Sequence, residues 1–119
     1  MEQETDLTKK KCVPCEGGTP PLKLEEVATY IKLLKTPWHV EGNKKIFQQF
    51  NFKDFKEAVA FVNNIAEIAN TEDHHPDIHV YYNKVYLELF THSICGLSGN
   101  DFIVARKIEE VLDGKTVEQ

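Results

Sequence analysis

Histidine is the side chain best suited to exchanging protons near neutral pH. Four of the five histidines in this 119-residue chain fall between positions 74 and 92: His74, His75, His79 and His92. Three kinds of chemistry fit such a group. Imidazole binds zinc, copper or iron, but adjacent His74-His75 chelates poorly without a sharp backbone turn, and the helical H-E-x-x-H spacing is absent. Metal-free acid–base catalysis needs only two or three titratable groups around a small organic substrate. The third reading is a scatter of unrelated surface histidines. Residue chemistry alone leaves all three open. No G-x-S-x-G, Walker A or G-x-G-x-x-G pattern competes, and Gly17-Gly18 reads as a turn.

The elements around the histidines follow from hydrophobic spacing. Residues 1–21 read as an irregular arm ending in Gly17, Gly18, Pro20 and Pro21, and residues 22–119 as one domain. Leu24, Val27, Ala28, Ile31 and Leu34 recur at helical spacing, and Pro37 closes that helix. Trp38–Val40, the turn Glu41-Gly42-Asn43 and Lys45–Phe52 form a hairpin. Ile46, Phe50 and Phe52 share one face of it, with Gln48 a polar break. Asp54–Asn70 is the longest helix signal. Its apolar residues cover more than one stripe, which predicts a second contact, most simply the same helix of another subunit.

Thr71–Asp77 reads as a connection, with Pro76 pushing His75 out of helical geometry. Two strands follow, His79–Tyr82 and Lys84–Thr91, around Asn83. Alternation puts Val85, Leu87 and Leu89 on one face, and Tyr86, Glu88, Phe90 and His92 on the other, which opens to solvent. Ser98 and Asp101 have capping-box spacing before a helix through Phe102, Ile103, Ala105, Ile108, Val111 and Leu112, ended by Gly114. The order α-β-β-α-β-β-α predicts an α+β two-layer sandwich, a four-stranded antiparallel sheet with three helices on one face.

Composition narrows the class. Hydrophobic residues at 41% suffice for a core, and no run reaches the roughly 20 apolar residues of a membrane span. The polar start MEQETDLTKKK lacks a secretory h-region, so the cytoplasm is the expected compartment. A net charge of −5 argues against nucleic acid as a direct partner. Three cysteines, Cys12, Cys15 and Cys95, make no disulfide framework. Cys12-x-x-Cys15 has no second pair to complete a zinc site and lies in turn chemistry.

Several of these residues together resemble the pterin-4a-carbinolamine dehydratases. The matching runs are Asp73-His74-His75-Pro76, Tyr82-Asn83-Lys84-Val85, Thr91-His92, Gly96-Leu97-Ser98 and Asp101, with Gln48-Gln49-Phe50, Phe52-Lys53-Asp54-Phe55 and the Trp38 region similar too. The likeness spans roughly residues 22–112, and the Cys12–Cys15 arm looks like that of plant and microbial members. Two positions depart from the pattern. Asn70 stands where a charged residue is usual, and His79 where an aromatic is usual.

The resemblance implies loss of water from a 4a-hydroxytetrahydropterin to give the quinonoid dihydropterin, in tetrahydrobiopterin recycling, with no metal or cofactor. It implies His74, His75 and His92 as catalytic residues and Asp73, Phe90, Thr91 and Ser93 as substrate contacts. His74 and His92 would flank the ring and handle the leaving hydroxyl, and His75 would orient the ring and exchange the N5 proton. Asp101 reads as a helix cap rather than a catalyst. The expected partners are the pterin, an aromatic amino-acid hydroxylase and further copies of the chain in a homodimer or homotetramer. Two alternatives stand: a dimerisation partner of a homeodomain transcription factor acting through Asp54–Asn70, and a metal-dependent histidine enzyme.

Overall fold

The computed structural model describes residues 7–9 and 20–118, with side chains described as far as Leu112. Cys12 and Cys15 lie outside the described residues. Helix α1 spans Leu24–Ile31, β1 His39–Glu41, β2 Lys45–Asn51, α2 Phe55–Glu72, β3 Asp77–Tyr81, β4 Lys84–Leu89 and α3 Gly99–Glu118. Leu7–Lys9 and His92–Ile94 each form one 3-10 turn. The strands make one antiparallel sheet in the order β1-β2-β4-β3. The α+β sandwich read from the sequence is the observed architecture.

Alternation decides the core. Ile46 and Phe50 of β2 and Val85, Leu87 and Leu89 of β4 point beneath the helices and are buried. Ala58, Phe61, Ile65 and Ala69 of α2 meet them, and Phe61 packs its ring 5.1 Å from Phe50 and 4.9 Å from Phe52. Gln48 breaks the apolar face of β2 without leaving a bare polar group, because its Nε2 donates to Thr36 Oγ1 at 2.9 Å. Helix α3 is buried along Asp101–Arg106, with Tyr30 of α1 stacked 5.0 Å from Phe102. Within the arm expected to be irregular, Leu7 is buried against α3.

Several boundaries differ from the expectations. Helix α1 stops at Ile31, and turns carry Leu33 and Leu34 onward as partly buried residues. Leu24 and Ala28, expected on its inner face, are exposed. Helix α2 runs on through Thr71 and Glu72, because Glu72 is buried and paired with Lys107 of α3. Asp73 then ends it in the left-handed conformation at φ 56°. Strand β3 begins at Asp77 rather than His79. Strand β4 ends at Leu89, since Thr91 turns away to bridge Gly96. Helix α3 passes through Gly114 to Glu118; a glycine ends a helix when it turns left-handed, and Gly114 stays helical.

Candidate active site

Helix α2 delivers the paired histidines. Its C-terminal turn closes with the amides of Asp73 and His74 both donating to Ala69 O, the latter at 3.1 Å. Asp tolerates the left-handed backbone better than most side chains do. Pro76 follows, so the chain leaves the helix extended and enters β3.

The N-terminus of α3 receives His74. Asp101, wholly buried, lies with Oδ1 2.6 Å from His74 Nε2. Its Oδ2 accepts from Thr91 Oγ1 at 2.9 Å and from the Ser98 amide at 3.0 Å. With the Thr91 proton committed to Asp101, Ser98 donates its hydroxyl proton to Thr91 Oγ1 at 2.8 Å and accepts from the Asn100 amide at 3.2 Å. Asp101 thus closes back onto the Ser98 amide as expected, while the Ser98 hydroxyl caps Asn100 rather than completing the box on Asp101, and the same carboxylate also holds a histidine. Because Nε2–H points at the carboxylate, the other ring nitrogen of His74 is the one left to exchange protons.

The remaining predicted residues fall into three places. His92 is exposed and opens the 3-10 turn after β4, not a strand position as expected; its ring lies 4.2 Å from that of Phe90. Phe90 and His92 line a cavity of about 570 Å³ on the open face of the sheet, with Glu41, Gly42, Lys44 and Lys45 of the first hairpin, Asp77, Glu88 and Cys95. His75 is exposed, and its Nε2 lies 3.1 Å from Asn70 Oδ1, so the amide at the divergent position 70 accepts the imidazole proton. His74 and His75 are not among the cavity-lining residues. Thr91 is buried, its hydroxyl spent on Asp101 and Ser98, while Ser93 and Asp73 are exposed. His74 and His92 are therefore linked through Asp101 and Thr91, and His75 stands apart on the end of α2.

Sequence reasoning assigned no role to Glu88 and Lys45, which the fold brings into the cavity wall. Lys45 Nζ lies 3.0 Å from Glu88 Oε2, and Tyr86 donates its hydroxyl to the same oxygen at 2.9 Å. The Lys45 hydrogen bond holds the Glu88 carboxyl below the usual 4.5, against the opposing effect of burial. The same bond raises Lys45 above 10.5, and desolvation raises Tyr86 above 10.0. Alternation had set Glu88 on the open face, but its partner required the β2–β4 register, in which Glu88 faces Phe47 beside Lys45. Aromatic rings cross this face from strand to strand: His39 to Phe47 at 5.1 Å, Phe47 to Tyr86 at 5.7 Å and Tyr86 to His79 at 5.6 Å. His79 thus fills an aromatic position with its ring. Among the described residues no three His, Cys, Asp or Glu side chains converge on one metal-sized point. No described helix is long and apolar enough to cross a membrane.

A family model described as Pterin 4 alpha carbinolamine dehydratase matches residues 20–111. A Nitrosomonas europaea protein provisionally named pterin-4-alpha-carbinolamine dehydratase is 48% identical over 109 residues, covering 92% of this chain and 96% of its own. A Nitrosospira multiformis protein named in the same way is 50% identical over 104 residues, covering 87% and 90%. The crystal structure of a transcriptional coactivator/pterin dehydratase from Brucella melitensis matches with a TM-score of 0.72 at 35% identity, over 76% of this chain and 97% of that one.

Proposed function

The chain belongs to the pterin 4 alpha carbinolamine dehydratase family, and we propose that it removes water from a 4a-hydroxytetrahydropterin, with His74, His75 and His92 as its catalytic residues. The observation that carries this reading is the 2.6 Å contact of His74 Nε2 with the buried Asp101 carboxylate, which also binds the residue before His92. A carboxylate behind an imidazole fixes its tautomer and orientation, as proton transfer requires.

The elimination balances simply. The C4a–O bond breaks, a C4a=N5 double bond forms, the N5 proton passes to a base, and a proton from an acid turns the departing hydroxyl into water. His74, aligned by Asp101, and His92, at the open cavity beside Phe90, handle the hydroxyl. His75 orients the ring and exchanges the N5 proton, with Asn70 holding its other nitrogen. Asp73, Phe90, Thr91 and Ser93 surround the substrate, Thr91 acting mainly by supporting Asp101. The product re-enters tetrahydrobiopterin recycling beside an aromatic amino-acid hydroxylase, in the cytoplasm.

The test is the decay of 4a-hydroxytetrahydropterin, generated in situ and followed by its absorbance. His74→Ala and His92→Ala should each lower kcat by about 10²–10⁴-fold, the usual worth of general acid–base catalysis. Full activity in both would overturn the reading. The Brucella melitensis protein is described as both a transcriptional coactivator and a pterin dehydratase; for this chain the histidine–carboxylate geometry favours catalysis.

A further inference from the structure

The cavity on the open sheet face contains an acceptor whose two oxygens are used unequally. Lys45 and Tyr86 both donate to Glu88 Oε2, at 3.0 and 2.9 Å, while Oε1 takes no hydrogen bond among the described residues. Glu88 lines the cavity, and its side chain is 18% exposed. Two residues along the same face, Phe90 offers a flat apolar wall, and His92 follows it. A partly buried carboxylate clamped through one oxygen presents the other in a fixed direction and accepts only.

We propose that Glu88 is the specificity residue for the substrate's pyrimidine edge, its free oxygen accepting from the 2-amino group and N3–H of a pterin whose ring lies along Phe90. This rests on the dehydratase reading and names the group that selects a 2-amino-4-oxo ring over other bicyclic heterocycles. Of the other carboxylates lining the cavity, Glu41 and Asp77 are exposed and lack such a double clamp. Lys45 and Tyr86 are positioning residues: they hold Glu88 ionised and aimed. In Glu88→Gln the amide oxygen would take the Lys45 and Tyr86 donors, leaving the NH₂ turned against the donors of the ligand.

The experiment measures, by fluorescence quenching, Kd for a 6-substituted 7,8-dihydropterin and for the matching dihydrolumazine, in which an oxo group replaces the 2-amino group. The native protein should bind the pterin about 10- to 100-fold more tightly, the range for a hydrogen bond to a charged group. Glu88→Gln should lose that preference, with KM for 4a-hydroxytetrahydropterin rising by the same factor and kcat changing far less. Tyr86→Phe should move in the same direction by less. Equal affinity of the native protein for both compounds overturns the assignment even where Glu88→Gln does not fold. So does a folded Glu88→Gln that keeps the preference. Failure of the dehydratase reading looks different: the native protein then neither binds the dihydropterin nor accelerates dehydration.

Discussion

Glu88 and Lys45 also contribute to how the folded state responds to pH. Glu88 titrates below its ordinary value in the fold, so the unfolded chain binds more protons there. Its contribution is complete above about pH 4.5 and disappears as pH falls through the lowered folded value. Lys45 behaves oppositely: its contribution is complete below about 10.5 and fades as pH rises through the raised folded value. Urea unfolding from about pH 6 down to about pH 3 should therefore lose stability more steeply in the native protein than in Glu88→Gln. Equal slopes would show that the pair does not couple to folding. At this scale the three histidines stand out through the family resemblance, because residue chemistry alone leaves three readings open. The Asp101 role was not legible, because Ser98-x-x-Asp101 is already accounted for as a cap. Its second partner, His74, stands 27 positions away and meets it only once α2 packs on α3.

The segment from Thr91 to Ser98 is an element in its own right, built by close approach. Thr91 and Gly96 pair across it, Cys95 takes a left-handed φ of 54°, and Leu22 N donates to Leu97 O at 2.8 Å. A Cβ on Gly96 would sit 2.7 Å from Pro21 Cβ, closer than two carbons pack. Gly96→Ala should thus cost about 1–3 kcal/mol as an overpacked contact, and under the proposed dehydratase function it should also lower activity, because the shifted loop carries His92. Chemical denaturation and the pterin assay measure the two effects. Strands and helices with regular periodicity were readable in advance: Val85, Leu87 and Leu89 alternate inward as expected, and Ala58, Phe61, Ile65 and Ala69 of α2 are buried at helical spacing. Their ends were less readable. Glu72 extends α2 through a partner on α3, and Thr91 leaves β4 to reach Asp101, both tertiary contacts with no local signature.

At the scale of the whole molecule, α2 keeps a stripe that the domain does not cover completely. Phe55 is 53% exposed, and Val59, Val62 and Ala66 follow it at helical spacing, none fully buried. Self-association through this stripe predicts that Phe55→Asp shifts the chain toward monomer, read by sedimentation velocity; an unchanged mass distribution would exclude α2 as the contact. The net charge of −5 is compatible with protein partners and poor for phosphate backbones. One further consequence lies in the double duty of Asp101. The Ser98 amide that it accepts is also the first landmark of α3, so that one proton is a built-in reporter. Its hydrogen-exchange rate, followed in the free protein, tells whether the carboxylate that holds His74 is seated at the start of α3. It also means that any substitution at Asp101 disturbs the anchor of His74 and the start of α3 together.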